Sequence, residues 1–291
     1  YRRDFTINAL YYCPITGKIE DHNKGLKHIH NKEIVSIGDP DLRFEEDPVR
    51  SLRAIRFCTK LNFKINNDIK EAIYKKGHLL SSVSNARLFD EFCKIFLNGM
   101  AEKNFNKLVS FGLNKYLVST NLNGCEFSNQ LIIEALRNTD NRIKNNQSVT
   151  PGFLIAALLW PQLIKKSLKG NEINLKKFFR SMDSILRNQQ KITAIPRKFH
   201  TYIKDIWVLQ LKLHSRIGKQ PYKTLKHPRF RAAYDFLLVR EKAAAKTKDL
   251  GFWWTEFQKN NEDLKKKLIN DLKKNNLEES SKVFGFSKEL R

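Results

Sequence analysis

The chain has 291 residues, of which 41% are hydrophobic and 20 are Phe, a composition that excludes a disordered polymer and is enough for one large domain or two ordinary ones. Its 54 Lys and Arg against 30 Asp and Glu leave a net charge of +24 spread along the whole length, so the surface favours an anionic partner, nucleic acid ahead of an acidic membrane. Four cysteines without a Cys-x-x-Cys pair exclude a zinc knuckle and fit a reducing compartment, and the longest apolar run, Phe153 to Trp160, is too short to span a bilayer.

The sequence opens at Tyr1, without a Met and inside what reads as a motif, so a segment of a longer protein is expected. Arg2 and Arg3 stand beside Asp4 and lead into an apolar stretch. Paired guanidiniums suit a triphosphate, and the acid suits a ribose hydroxyl or a metal ion; a local salt bridge at a helix start is the alternative. Turns are expected at Gly17 and at Asn23-Lys24-Gly25, with an extended piece over Ile34–Ile37 closed by Gly38-Asp39-Pro40. Asp39 and Asp41 form an Asp-x-Asp pair, but with Pro40 between them they read as turn and helix-entry chemistry rather than as a metal site.

From residue 43 onward the pattern is helical. Asp47 as N-cap and Pro48 as first helical residue start a helix on which Arg50, Arg53 and Arg56 form one stripe and Val49, Leu52 and Ile55 an apolar one. A carboxylate and a guanidinium one turn apart can read the edge of a base, whereas a surface helix with arginines answering nearby acids is the plainer reading. Further helices are expected over 68–76, from Ser84 to about Asn98, and over 101–111, 127–138, 152–160, 171–190 and 196–214. Arg87 with Asp90 and Glu91 reads as a structural ion pair, and Thr139–Pro151 as a polar connection. The block His227–Asp235 mixes Arg229 and Arg231 with Phe230 and Tyr234; these aromatics suit either stacked RNA bases or a helix core. Beyond Asn260 the lysine-rich sequence reads as a marginal helix and a mobile tail.

Two of these motifs carry a resemblance. Arg2-Arg3-Asp4-Phe5-Thr6-Ile7-Asn8-Ala9 resembles the ribose-selecting motif, and Glu46-Asp47-Pro48-Val49-Arg50-Ser51-Leu52-Arg53-Ala54-Ile55-Arg56-Phe57 the base-reading helix, of the class II template-independent nucleotidyltransferases. That family includes bacterial poly(A) polymerases and CCA-adding enzymes. Arg137–Ile143, Asp205–Leu211, His227–Asp235 and Trp253–Gln258 resemble the bacterial poly(A) polymerase I branch.

The resemblance implies a mainly α chain: the end of an α/β nucleotidyltransferase head over 1–38, a helical neck with the base-reading helix over 39–150, a helical RNA-binding body over 151–260 and a basic tail over 261–291. It implies transfer of AMP from ATP to RNA 3′ ends, with magnesium and no template. Asp4 would be the active-site acid near ribose and metal, with Arg2 and Arg3 on the phosphate side and Asp47 and Arg50 on the adenine edge. Glu46, Arg53, Arg56 and Arg87 would support them, and Arg229 and Arg231 would contact RNA. Expected partners are RNA 3′ ends, ATP and RNA-decay proteins, for a cytoplasmic monomer without a membrane contact. Tail addition to tRNA as a CCA-adding enzyme, or RNA binding without catalysis, are the rival functions. Two departures stand out. The upstream Asp-x-Asp pair and Gly-rich turn are not in this sequence, which implies that the segment alone does not catalyse. Lys24 and His28 occupy places where the family has a glycine and an acid, and Lys24 would stiffen that turn.

Overall fold

The computed structural model describes residues 3–120, 126–170, 172–243, 247 and 249–274. It is mainly α, as the sequence implies, with small two-stranded sheets beside the helices. The chain divides into two compact units. One holds the described residues up to Val118 together with Lys191–Ala194, and the other holds Ser119–Gln190 and the residues from Ile195 onward. Arg2, Cys125 and the tail beyond residue 274 lie outside the described residues.

The first unit begins with Asp4 and Phe5 paired against the extended segment before Asp39. Thr6 N–H donates to Val35 C=O (3.0 Å), Ile37 N–H donates to Asp4 C=O (3.1 Å), and Phe5 bridges Ser36. β1 (Leu10–Tyr12) and β2 (Ile19–Asp21) form an antiparallel hairpin, Leu10 opposite Asp21. The Asp21 carboxylate then accepts from Gly25 N–H (2.7 Å) and Leu26 N–H (2.9 Å), which starts α1 (Gly25–His30), a helix where only a turn was expected. Only six residues long, with Leu26 and Ile29 as its apolar positions among Lys27, His28 and His30, it is too short to show a periodicity.

α2 (Pro40–Glu46) starts as expected: Asp39 accepts from Asp41 N–H (3.0 Å) and Pro40 sits in the first turn. α3 (Val49–Leu61) follows, with Asp47 accepting from Val49 N–H (3.2 Å). Val49, Leu52 and Ile55 are fully buried, so the apolar stripe docks α3 and leaves the arginine stripe on its open side. The helix ends at Asn62, left-handed at φ +55°, and the chain passes into β4 (Lys64–Ile65), parallel to β3 (Glu33–Ile34). α4 (Asn67–Lys76), α5 (Asn85–Phe96) and α6 (Ala101–Ser110) complete the unit around Phe92, Phe96 and Phe105.

The second unit is built from α7 (Glu126–Lys144), α8 (Pro151–Ser167), α9 (Leu175–Gln190), α10 (Arg197–Lys212), α11 (Gln220–Leu225), α12 (Phe230–Lys242), α13 (Leu250–Lys259) and α14 (Glu262–Lys274). Two expectations fail in detail. α7 runs on through Thr139, which is buried, so the polar connection is shorter than the composition suggests. A hairpin of β5 (Leu168–Lys169) and β6 (Glu172–Ile173) precedes α9 where helix was expected. Trp160, Trp207 and Trp254 are fully buried. Trp207 donates to Ala156 C=O (2.9 Å) and Trp254 to Leu213 C=O (2.8 Å), so the two indoles pack without stranding their N–H groups. Phe230 and Tyr234 also belong to the core, stacked at 6.1 Å and nearly inaccessible, which removes them as base-stacking platforms. No helix among the described residues is long and apolar enough to cross a membrane.

Candidate nucleotide site

A cleft of about 680 Å³ in the first unit gathers Arg3, Asp4, Asp47, Arg50, Arg53 and Arg87. The Phe5–Ser36 pairing fixes the backbone of Asp4, and Phe5 meets Phe57 of α3 edge-on at 6.0 Å, which holds the motif against the helix. Asp4 is 7% exposed. Its Oδ2 accepts from Arg53 Nε at 2.6 Å, and its Oδ1 accepts from Asn8 Nδ2 and Phe5 N–H, both at 3.0 Å. Burial pushes the carboxyl up, but the Arg53 and Asn8 hydrogen bonds outweigh it and hold the group below its ordinary value. Asp4 is therefore an anion at neutral pH, with one lone pair of Oδ2 left for a further donor.

The acids and bases of the α2–α3 corner pair differently from the sequence expectation. Asp47 accepts from Arg87 Nη2 of α5 at 2.7 Å. Arg50 donates to Arg43 C=O (2.9 Å) and to Glu46 (3.2 Å), and Arg43 donates to Glu46 (2.6 Å) and to Arg3 C=O (2.8 Å). The anticipated Arg87 pairing with Asp90 and Glu91 is corrected. Glu91 lies buried in the cleft wall at 3% exposure and accepts from Lys94 (2.7 Å), and the Arg87 guanidinium reaches across to Asp47 instead. Arg56 is half-buried, its guanidinium 4.7 Å from the Phe57 ring centroid with Arg53 at 5.5 Å; burial lowers its pKa and Glu91 opposes that. Two like charges thus share one aromatic ring, which relieves the repulsion a bare arginine stripe would carry.

Asn8, Arg43 and Phe57 are part of this site and were not singled out by sequence reasoning. Asn8 and Phe57 lie inside the quoted motifs, but only the fold shows that one holds Asp4 and the other carries two arginines against its ring. Arg229 and Arg231 belong to the second unit: Arg229 lies 5.0 Å over the Tyr202 ring and Arg231 pairs with Asp235 at 3.1 Å. Lys24 is left-handed at φ +57°, and the His28 ring meets Thr6 Oγ1 at 2.9 Å.

No group of three or more His, Cys, Asp or Glu side chains among the described residues is placed to hold a metal ion, so a magnesium ion at the free Oδ2 lone pair of Asp4 would take its other ligands from elsewhere. Asp39 and Asp41 open α2 and form no such group.

Three stretches match family models: "Poly A polymerase head domain" over residues 1–35, "Probable RNA and SrmB-binding site of polymerase A" over 62–120, and "Polymerase A arginine-rich C-terminus" over 171–283. Poly(A) polymerase I of Salmonella typhi is 37% identical over 282 residues, covering 93% of this chain and 61% of that protein. The chain is homologous to bacterial poly(A) polymerase I. It spans about three fifths of the length of that relative. The CCA-adding enzyme of Bacillus pumilus is also similar, 28% identical over 84% of this chain and 63% of its own. A solved tRNA-processing enzyme in an apo form shares the fold at TM-score 0.63 and 19% identity, over 92% of this chain and 74% of that one. The nucleotidyltransferase relationship therefore rests on sequence, and the architecture on both.

Proposed function

We propose that the protein adds AMP units from ATP to RNA 3′ ends without a template, as the resemblance to poly(A) polymerase I implies. The observation that carries this reading is the cleft that joins Asp4 and Arg53 to the Asp47–Arg50 turn of α3. Asp47 offers acceptors and Arg50 donors one helical turn apart, a match for the N6 amino group and a ring nitrogen of adenine. Both side chains hold protein partners in the structure, Arg87 and Glu46, so the entering base exchanges these contacts rather than meeting bare charges. Asp4 accepts a ribose hydroxyl at its remaining Oδ2 lone pair, while Arg2 and Arg3 answer the triphosphate. Phosphoryl transfer asks little covalent chemistry of a protein and much positioning, which is what these residues supply.

In this reading the arginines of the second unit carry RNA, and magnesium is held mainly by residues outside this cleft, with Asp4 as its one contact here. The 291 residues alone bind nucleotide and RNA without turnover, and the products enter RNA processing and decay, with RNA-decay proteins as partners of a cytoplasmic monomer. The test is an extension assay on the intact gene product with a generic RNA primer, offering ATP alone, CTP alone or both. A long ladder with ATP alone supports the proposal. Short, CTP-dependent addition confined to tRNA ends would make the protein a CCA-adding enzyme, and RNA binding without extension would leave a binding protein.

A further inference from the structure

The second unit contains a smaller cavity, of about 220 Å³, that adenylyl transfer does not use. Its walls are Arg142 of α7, Phe153 of α8, Tyr202 of α10, and Arg229, Arg231 and Asp235 at the start of α12. Asp235 organises the charges: Oδ1 pairs with Arg231 Nε at 3.1 Å and Oδ2 accepts from Arg142 Nη1 at 3.2 Å. Arg142 also donates through Nε to Ser148 C=O at 3.1 Å, which ties the loop before α8 to the same cluster. Burial raises the Asp235 carboxyl above its ordinary value in spite of the two arginines.

The aromatic walls are fixed as firmly. Thr150 Oγ1 accepts from Phe153 N–H at 3.2 Å, which caps α8 and fixes the backbone that carries the ring. A methyl group on Gly152 would stand 2.8 Å from the Tyr202 ring, so α8 and α10 meet there without slack and the Tyr202 ring has no room to retreat. Arg229 covers that ring at 5.0 Å. Two guanidiniums on one carboxylate, with Arg229 as a third cation over Tyr202, leave an excess of positive charge beside two aromatic side chains, in a space that takes one ring system rather than a stacked pair.

We propose that this cavity takes one unstacked nucleotide of a bound RNA, its base against Phe153 and, as Arg229 moves from the Tyr202 ring to the phosphate, against Tyr202, its edge on the Arg142–Asp235 pair and its phosphate on Arg229 and Arg231. A guanidinium beside a carboxylate presents donor and acceptor together, so every base finds a partner there and the pocket is tolerant of sequence. The inference rests on the reading that the second unit carries RNA, and it adds to that reading a discrete site.

The test uses the intact protein and two probes, an RNA oligomer with a single 4-thiouridine and 8-azido-AMP, each photocrosslinked and mapped to peptides. An RNA adduct on the peptide of Phe153 or Tyr202 is expected, and equilibrium binding follows by fluorescence anisotropy across a salt series. Tyr202→Leu keeps apolar bulk but removes a stacking face, and is expected to weaken RNA binding about tenfold with the salt slope unchanged. Arg231→Gln, at an exposed position where the guanidinium lies 5.6 Å over the Tyr234 ring, is expected to weaken binding and lower the magnitude of the log–log salt slope by about one. Unchanged affinity and slope in Arg231→Gln with no RNA adduct in the cavity would overturn the site while leaving wild-type RNA binding intact. An adduct with 8-azido-AMP and none with RNA would overturn RNA as the source of the nucleotide. Failure of the wild-type protein to bind RNA at all would instead remove the reading on which the site rests.

Discussion

Arg53 reaches from the third helix to Asp4, Nε to Oδ2 at 2.6 Å, and joins two motifs separated by 49 residues of sequence. The pair explains why a nearly inaccessible carboxylate stays charged. Because the folded Asp4 titrates below its ordinary value of 3.8, its contribution to stability is present above that value and is lost as pH falls through the lowered one. Arg53→Gln removes the guanidinium and leaves burial opposed by Asn8 and the Phe5 N–H alone, so the carboxyl is expected to titrate higher than in the wild type. The variant is expected to lose roughly 1.5–3 kcal/mol at pH 7, the scale of a hydrogen bond to a charged group, and its stability should begin to change with pH at a higher pH than the wild type's. Urea denaturation from pH 7 to pH 3 measures both, and equal curves for the two proteins would remove the pair from the account of Asp4.

Under the proposed function Arg50 and Arg87 divide the labour: Arg50 touches the base, whereas Arg87, which holds the Asp47 carboxylate at 2.7 Å, acts through it. Arg50→Ala in the intact protein is expected to lose ATP-over-CTP preference by about 1–3 kcal/mol, the worth of one good base-edge contact, with little change in RNA affinity. Arg87→Ala is expected to raise KM for ATP, and Arg87→Lys to restore part of it, since a lysine still meets one carboxylate oxygen. Paired measurements of ATP, CTP and RNA binding decide this. Equal losses of nucleotide preference and RNA affinity in Arg50→Ala would deny it contact with the base.

How much of this was legible beforehand depends on the range of the interaction. Asp39-Pro40 and Asp47-Pro48 announce their helices because a cap and a fixed φ act within three residues, and the Val49, Leu52 and Ile55 stripe states which side of the third helix is buried. The partner of Arg87 was not legible. An acid three or four residues along its own helix is the local choice, and only tertiary packing turns Glu91 inward and brings Asp47 within reach. The Arg53–Asp4 bond and the Phe5–Ser36 bridge are non-local in the same way. The aromatics of the twelfth helix left two readings open because a spacing of four serves a core and a stacking platform equally, and burial decides between them.

The turn at Lys24 and Gly25 separates a tolerated departure from a required residue. Lys24 at φ +57° carries a left-handed cost of about 1–2 kcal/mol that glycine would relieve, but glycine adds about 0.4–1 kcal/mol of unfolded-chain entropy. Lys24→Gly is therefore expected to move the melting temperature little and to leave extension length unchanged. Gly25 is different, because a Cβ there would stand 2.5 Å from the Thr6 carbonyl oxygen, backbone that cannot swing aside. Gly25→Ala should cost about 1–3 kcal/mol, as overpacking does. Thermal melts of both variants check the contrast, and a stable Gly25→Ala would mean that the first helix moves freely away from the Asp4 motif.

His214 gives the second unit its own acid sensitivity. Burial, with Arg240 and Arg216 adding to it, pushes the imidazole down from 6.5 to about 3, so the folded chain refuses a proton that the unfolded chain accepts between those values. The sign follows: stability is full above pH 6.5 and falls as pH drops toward 3, by up to about 1.4 kcal/mol per pH unit from this group. The fully buried Arg240, which donates to Gln210 at 2.9 Å and lies 4.9 Å over the Trp160 ring, cannot leave to relieve the charge. His214→Gln is expected to flatten the pH dependence of unfolding between pH 6.5 and pH 4.5 while changing the acid behaviour of Asp4 in the first unit not at all. Chemical denaturation of wild type and variant across that window, followed by tryptophan fluorescence, reads the second unit directly because Trp160, Trp207 and Trp254 all lie in it. Parallel slopes for the two proteins would show that His214 is not the group that titrates.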